Sequence, residues 1–335
     1  MLIADPGAPA AIADRLSDSL SEEESDKAAL GGWDVTTRRH AYPIDEQTEI
    51  EEVVGAVDPD AETEDIVIYL TDVPRRQGTT PVVADISVPN RFGVISIPGL
   101  GGAFTTRQVN DLAHTVVTEV SGPSSTLQVP ARRLRRVEDH GIIHYVAPSG
   151  LSRLRLLGGM VYANRPWRLV TGMSKVMMAA FATGAVSLAY PTMWQLSDTM
   201  GPWRLSAATI LASTAMIAWL IVEHNLWERP STDTDRERAV LYNVSTALTL
   251  TIGVVVFHVG LFVLLLLTAW WTIPPSMVTE NIGHPISFSS LLLMAWLVAA
   301  IATLGGALGS GMEDDQAVKA AAYGPRQRER FDHTD

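Results

Sequence analysis

The sequence contains no cysteine and only three lysines among its 335 residues. Without cysteine the chain forms no disulfide, thiolate nucleophile, iron–sulfur cluster or cysteine-ligated zinc site. Charged residues are also scarce, at 19% against roughly 25% in an average soluble protein. Because hydrophobic residues make up 47% of the chain, the composition indicates membrane-embedded segments beside a soluble part.

The net charge of −12 is distributed unevenly along the chain. Residues 1–60 hold 4 Lys and Arg against 15 Asp and Glu. This N-terminal part lacks the basic start and the apolar run of a secretory signal. Its acidic run at 21–26 and its low hydrophobicity predict that residues 1–30 form a disordered acidic leader. The rest of the chain is nearly neutral, so its charge does not oppose contact with anionic lipid, and we expect no nucleic-acid partner.

Four stretches are long and apolar enough to cross a bilayer, which takes about 20 helical residues. They are residues 169–190, 203–222, 240–273 and 287–309. The third stretch could hold two short spans, but neither proline nor charge interrupts it, which favours one long helix. We therefore predict an all-α bundle of four transmembrane helices over residues 169–310, followed by a cytoplasmic tail over 311–335.

Arginine and lysine are confined to alternate loops of this bundle. The segments 191–202 and 274–286 contain neither residue type, whereas the other loops and the tail are basic. Lys and Arg mark the cytoplasmic loops of membrane proteins. The pattern predicts a multi-pass protein with both termini in the cytoplasm.

Residues 31–148 show the alternation of an α/β domain. Strands are predicted at 33–42, 65–70, 82–87, 92–97 and 141–146, and helices at 45–57 and 105–120. Strands that alternate with helices favour an α/β sandwich. The segment 74–81 could instead be a hairpin loop, which would make the sheet mixed.

Residues 149–168 alternate arginine with leucine and methionine just before the first span. A basic amphipathic helix at this place usually lies on the cytoplasmic leaflet. Anionic headgroups would then contact Arg153, Arg155, Arg165 and Arg168. The alternative is that this helix packs against the soluble domain.

The string RLRLLGGMVYANRPWR at 153–168, with YLTDVPRR at 69–76, resembles multi-pass membrane proteins of actinobacteria that carry an N-terminal cytoplasmic domain. No activity is assigned to that group. The resemblance covers most of residues 33–310. It implies a location in a bacterial plasma membrane and supplies no catalytic residue.

The best candidate ligand site is the string PGLGGAFTT at 98–106, between a predicted strand and a predicted helix. Glycines in this context let backbone amides approach a phosphate at a helix N-terminus. Phe104 occupies the third glycine position of the dinucleotide-binding fingerprint, and a glycine-rich turn capped by a threonine explains the residues equally well. Other polar residues follow the strand at 65–70. The candidate anion site comprises Gly99, Gly101, Gly102, Thr105, Asp72, Arg75 and Arg76.

The sequence lacks the common catalytic motifs. It has no Walker A loop, Gly-x-Ser-x-Gly elbow, His-Glu-x-x-His or Ser-x-x-Lys. His140 and His144 share one face of a predicted strand, but only Asp139 stands near them as a third ligand. We therefore predict no catalytic residue, no metal site and no cofactor.

Polar residues within or at the ends of the spans are candidates for function because burying them in lipid is costly. They are Lys175, His258, Glu223 and His224. Gly305, Gly306 and Gly309 predict close helix packing, either within the bundle or in a homo-oligomer.

Three functional classes remain open. The leading one is a non-catalytic regulatory or interaction protein with a cytoplasmic α/β domain on a membrane anchor. It would act with a second copy or with another membrane protein. The alternatives are a small oligomeric transporter or channel, and an enzyme of the inner leaflet that uses the anion site.

Overall fold

A computed structural model describes residues 1–25, 34–45, 48–77, 80–102, 105–122, 134–139, 141–147, 152–166, 173–230 and 236–309. The chain divides into two compact units between Arg165 and Pro166. The first unit is an α/β domain, and the second consists of helices.

The first unit is built on a mixed sheet of eight strands within the described residues. The strands are β1 (Leu2–Ala4), β2 (Thr37–Arg39), β3 (Val67–Thr71), β4 (Arg75–Gln77), β5 (Thr80–Ser87), β6 (Phe92–Ser96), β7 (Arg135–Asp139) and β8 (Ile142–Val146). Their order is β2-β1-β3-β6-β5-β8-β7, and β4 pairs with the start of β5. The first four strands of this order are parallel and the remaining pairs are antiparallel. The sheet is therefore mixed, as the hairpin alternative for residues 74–81 implies, but this segment holds β4 and the start of β5 rather than a loop.

Helices cover both faces of this sheet. They are α1 (Ala8–Ser25), α2 (Ile50–Val57), α3 (Ile97–Leu100), α4 (Thr105–Ser121) and α5 (Ser152–Asn164). One face packs Leu70 and Ile95 against α1 and α4, and the other packs Tyr69 and Val94 against α2. This alternation follows from the two-residue period of a strand.

The strands reached through α1 and α2 lie on opposite sides of β1. From β1 the chain runs through α1 to β2 on one side and then through α2 to β3 on the other side. The carboxyl ends of β1 and β3 therefore flank a topological switch point. Open α/β sheets bind their ligands at such points.

The prediction of a disordered leader over residues 1–30 is wrong for residues 1–25. Leu2–Ala4 is an inner strand of the sheet, and Ile12 and Leu16 of α1 are buried in the core. The segment is acidic as a whole, but its buried apolar residues come first in the sequence, in β1 and in the first part of α1. The acidic run begins only at residue 21, after these buried residues in the sequence. Residues 26–30 lie outside the described residues.

The second unit contains α6 (Ser174–Leu188), α7 (Pro191–Thr199), α8 (Pro202–Glu223), α9 (Arg236–Thr272), α10 (Pro275–Ile282) and α11 (Phe288–Gly309). Among the described residues α8, α9 and α11 are long and apolar enough to cross a membrane. Helices α6 and α7 form a pair bent by 88°, which would make a fourth span if the pair counts as one. The predicted third stretch is one unbroken helix, α9.

Small residues let the helices of the second unit approach closely. A Cβ on Gly184 of α6 would lie 2.7 Å from Leu265 of α9 and 3.2 Å from Ala302 of α11. Gly305 and Gly306 of α11 face Thr183 and Ala180 of α6. These two glycines therefore serve packing within the unit, one of the two roles predicted for them.

Candidate functional site

A buried carboxylate marks the end of β1 at the switch point. Asp5 has no exposed surface. Its Oδ1 accepts a hydrogen bond from the Tyr69 hydroxyl, and its Oδ2 accepts one from the Thr71 hydroxyl at 2.7 Å and one from the Asp72 amide at 3.2 Å. The three donors lie in β3 or directly after it. The carboxylate thus ties β1 to β3 where a ligand of this fold class would approach.

A second buried cluster joins β4, β5 and β8. The Arg75 Nε donates to Asp85 Oδ2 at 2.7 Å, and Asp85 Oδ1 lies 2.7 Å from His144 Nδ1. The Arg75 Nη2 donates to the carbonyl oxygen of Thr48, at 2.9 Å, just before α2. Arg75 and Asp85 are 6% and 2% exposed, so this ion pair is screened from solvent.

Ser96 connects the two clusters through the backbone after β3. The Thr71 hydroxyl accepts from the Val73 amide, and the Val73 carbonyl accepts from the Ser96 hydroxyl at 2.7 Å. The Ser96 Oγ in turn accepts from the Arg75 amide at 3.3 Å. A continuous chain of hydrogen bonds and backbone therefore runs from Asp5, past the carboxyl ends of β3 and β6, to Asp85 and His144 in the antiparallel strands β5 and β8, and we call it the carboxyl-end network.

Two nitrogen atoms of this network have no hydrogen-bond partner within the described part of the chain. One is Arg75 Nη1, which is buried. The other is His144 Nε2, whose side chain keeps 17% of its surface exposed. The hydrogen bond to Asp85 raises the pKa of His144 above its ordinary value, although burial opposes this shift. Because Asp85 holds Nδ1, the imidazole can present Nε2 as a hydrogen-bond donor or as a base.

The glycines of the predicted anion site and its polar residues Asp72 and Arg75 have different partners in the structure. Gly101 has φ +87° and contacts the Arg155 side chain, Gly102 approaches Gly158 of α5, and Gly99 lies against β5. Thr105 donates to the Gly101 carbonyl. Arg75 instead contacts Asp85 and Thr48, and the Asp72 amide contacts Asp5. Arg76 is half-buried in β4. Ala103 and Phe104 lie outside the described residues, and anion binding at the glycines stays a prediction.

Helix α5 packs on α3 and on the glycine segment, residues 99–102. The Arg155 Nε donates to the Gly99 carbonyl at 3.0 Å, and a Cβ on Gly159 would meet Pro98. The contact with the soluble domain, the second interpretation of 149–168, is therefore present. Lipid contact by Arg153, Arg155, Arg165 and Arg168 stays a prediction.

Polar groups of the second unit also find partners. The His258 Nδ1 lies 2.9 Å from the Thr303 hydroxyl, which itself donates to the Ala299 carbonyl. His224 is buried, whereas Lys175 and Glu223 are exposed. These contacts and exposures do not indicate a chemical reaction. The functional roles of these four residues stay predictions.

Sequence reasoning missed most of the carboxyl-end network. Asp5 falls within the predicted leader, and Asp85 falls within the strand predicted at 82–87. The signal for Asp85 is its charge within the buried run VVADIS, because a buried charge needs a partner. His144 was paired with His140, which lies outside the described residues.

No protein-family model, no curated protein and no solved structure matches this chain. The resemblance to actinobacterial membrane proteins therefore stays a prediction. The coarser part of it holds, since an α/β domain precedes three or four long apolar helices.

Proposed function

We propose that this chain is a regulatory or interaction protein of a bacterial plasma membrane. Its α/β domain and both termini lie in the cytoplasm, and the second unit anchors it as a bundle of four spans. The bent pair of α6 and α7 then counts as the first span.

The observation that carries the membrane part of this proposal is the apolar, outward-facing surface of the long helices. Only 22% to 44% of the most apolar stretch of α8, α9 and α11 is buried within the protein. Exposed side chains on these helices include Ile210, Leu211, Val259 and Leu267. Surfaces of this kind are stable in lipid and unstable in water. The confinement of arginine and lysine to alternate loops supports the cytoplasmic position of the α/β domain.

The bonding of the carboxyl-end network supports regulation over catalysis. Asp5, Arg75 and Asp85 are buried and bound to other parts of the domain. An acid–base enzyme needs a carboxylate or imidazole beside a nucleophile or a reacting group. Here the carboxylates hold strands together, so a ligand that changes their bonds would change the packing of several strands at once.

Purification in mild detergent from the native host, followed by native mass spectrometry, tests the regulatory role. We expect the chain to retain a stoichiometric protein partner or a second copy. The control is an unrelated membrane protein with the same affinity tag, purified in parallel. Recovery of a lone monomer, with no protein enriched over this control, would contradict the proposal.

Transport is a second candidate because one helix pair is broken. Helices α6 and α7 bend by 88° at Ala189 and Tyr190, and the Trp194 indole donates to the Leu188 carbonyl exposed by the break. Broken helices line the substrate sites of many transporters. This candidate predicts flux of protons or potassium ions in proteoliposomes that is lost in His258→Gln and kept in Thr209→Val. Without such a loss, the transport candidate is rejected.

A further inference from the structure

The strongest unexplained feature of the α/β domain is the buried guanidinium of Arg75. A guanidinium has five N–H donors, three of them on Nε and Nη2 and two on Nη1. Asp85 and the Thr48 carbonyl bind Nε and Nη2, whereas buried Nη1 has no acceptor within the described part of the chain. A buried donor without an acceptor costs about 1–3 kcal/mol. An acceptor from outside the chain would remove this cost.

Two neighbouring groups favour a negatively charged acceptor. Helix α2 begins at Ile50, directly after the Thr48 carbonyl that Arg75 binds, and no side chain caps its N-terminus. The first amide groups of a helix carry partial positive charge and bind anions. His144, on the other oxygen of Asp85, offers Nε2 with no partner in the described chain.

The charge of the cluster points in the same direction. Asp85 is the one carboxylate in contact with both Arg75 and His144 in the described residues. Once His144 is protonated, Arg75 and His144 contact a single carboxylate, and the further acids around them are Asp139 and, in the first turn of α2, Glu51 and Glu52. An anion would neutralise the net positive charge of the groups that contact one another here.

We propose that Arg75, His144 and the N-terminus of α2 form a binding site for an oxyanion, the phosphate or carboxylate group of a small ligand. This site is separate from the glycine segment at 99–102. The inference deepens the proposed function, on which it rests for its role, by naming the class of ligand that the α/β domain senses. Binding itself is measured on purified protein and does not depend on membrane orientation.

Hydrogen exchange of the full chain in detergent tests this site. Sodium phosphate and sodium acetate are titrated separately against sodium chloride of equal ionic strength. We expect one of the two anions to slow exchange of the amides at 49–53 and at 73, 75 and 76 in a saturable manner. The stronger anion identifies the group as a phosphate or a carboxylate.

Two variants separate binding from folding. His144→Gln keeps a donor for Asp85 and removes the imidazole. The double variant Arg75→Gln with Asp85→Asn keeps the buried pair neutral, so no lone charge is left inside. Each should raise the half-saturating concentration by about tenfold or more, as expected for a lost hydrogen bond to a charged group. The control Arg136→Gln changes an exposed arginine on β7 and should bind as the wild type does.

Three results would overturn the proposal. The first is exchange unaffected by either anion, in which case Nη1 holds only a water molecule. The second is half-saturation equal in the wild type and both variants, which would place the anion elsewhere. The third is an equal loss in Arg136→Gln, which would indicate general attraction by surface charge.

Discussion

At the scale of single residues, the buried pair of Arg75 and Asp85 dominates the α/β domain. Removing one partner of a buried ion pair leaves an uncompensated charge, which costs about 3–5 kcal/mol. We therefore expect Asp85→Ala to lower the free energy of unfolding by about that amount. The measurement is urea-dependent hydrogen exchange of the slowest amides of β3 and β6 in the full chain.

The matched control is Arg136→Ala, on the edge strand β7. Arg136 pairs with Glu119 and Glu138 at the surface, with 43% of its side chain exposed. Exposed pairs contribute about 0–1 kcal/mol. Equal losses in Asp85→Ala and Arg136→Ala would show that burial of the first pair has no energetic effect.

His144 gives the domain a pH dependence of known sign. Its hydrogen bond to Asp85 raises its pKa above 6.5, with Asp139 adding to the shift and Arg75 opposing it. A group with a raised folded pKa stabilises fully below its unfolded pKa, and this contribution is lost as pH rises through the folded pKa. We expect His144→Gln to destabilise the domain most below pH 6.5. Stability that differs from the wild type by the same amount at every pH would contradict this.

Asp85 shows why residue-level contacts resist prediction. Its charge within an apolar strand is a signal of a buried partner, but this signal does not identify the partner. The partner is Arg75, which reaches Asp85 only because β4 folds back on β5 with Arg75 opposite Val82. That register depends on tertiary packing, so the identity of the pair is invisible until the sheet is known.

At the scale of helices and strands, glycines decide how closely α5 approaches the domain. A Cβ on Gly159 would lie 2.6 Å from the Pro98 Cα, whereas a Cβ on Gly158 would lie 3.6 Å from the nearest atom, the Gly102 nitrogen. Overpacking costs about 1–3 kcal/mol. We expect Gly159→Ala to destabilise the domain by this amount, measured by hydrogen exchange of α5.

Gly158→Ala is the control for this substitution. It has ordinary contacts and gains up to about 1 kcal/mol of helix propensity, as alanine does in any helix interior. Equal stability of the two alanine variants would mean that α5 does not pack on α3 as described.

A second pair of glycines tests the packing of the membrane helices. Gly184 lies at the junction of α6, α9 and α11, whereas a Cβ on Gly260 would reach only Met177, at 3.8 Å. We expect Gly184→Ala to lower the thermal midpoint in detergent, followed by tryptophan fluorescence, because Leu265 and Ala302 must shift. Gly260→Ala should keep the midpoint or raise it. The reverse order would contradict the packing.

Long elements could be predicted from the sequence because their signals are long. The apolar runs of α8, α9 and α11 are long enough to cross a membrane. Strands β3, β5 and β6 contain several β-branched residues. Strand β1 has three residues inside an acidic segment. Its place between β2 and β3 follows from parallel pairing with distant residues, which no local pattern reveals.

At the scale of the whole molecule, the number of spans decides the side on which the α/β domain lies. Helix α6 has 15 residues, or about 22 Å at 1.5 Å per residue. A hydrocarbon core is about 30 Å thick. Four spans place the loop at α10 on the opposite side from the α/β domain, whereas three spans, with α6 and α7 re-entrant, place both on the same side.

Labelling of single cysteines distinguishes these arrangements, and the cysteine-free sequence supplies the background. Ala61→Cys lies on the exposed surface of the α/β domain, and Ser276→Cys lies in α10. With a membrane-impermeant maleimide, we expect Ser276→Cys to react in intact cells and Ala61→Cys to react only after permeabilisation. Reaction of both in intact cells, or of neither, would contradict a four-span protein with a cytoplasmic α/β domain, and so would the reverse pattern.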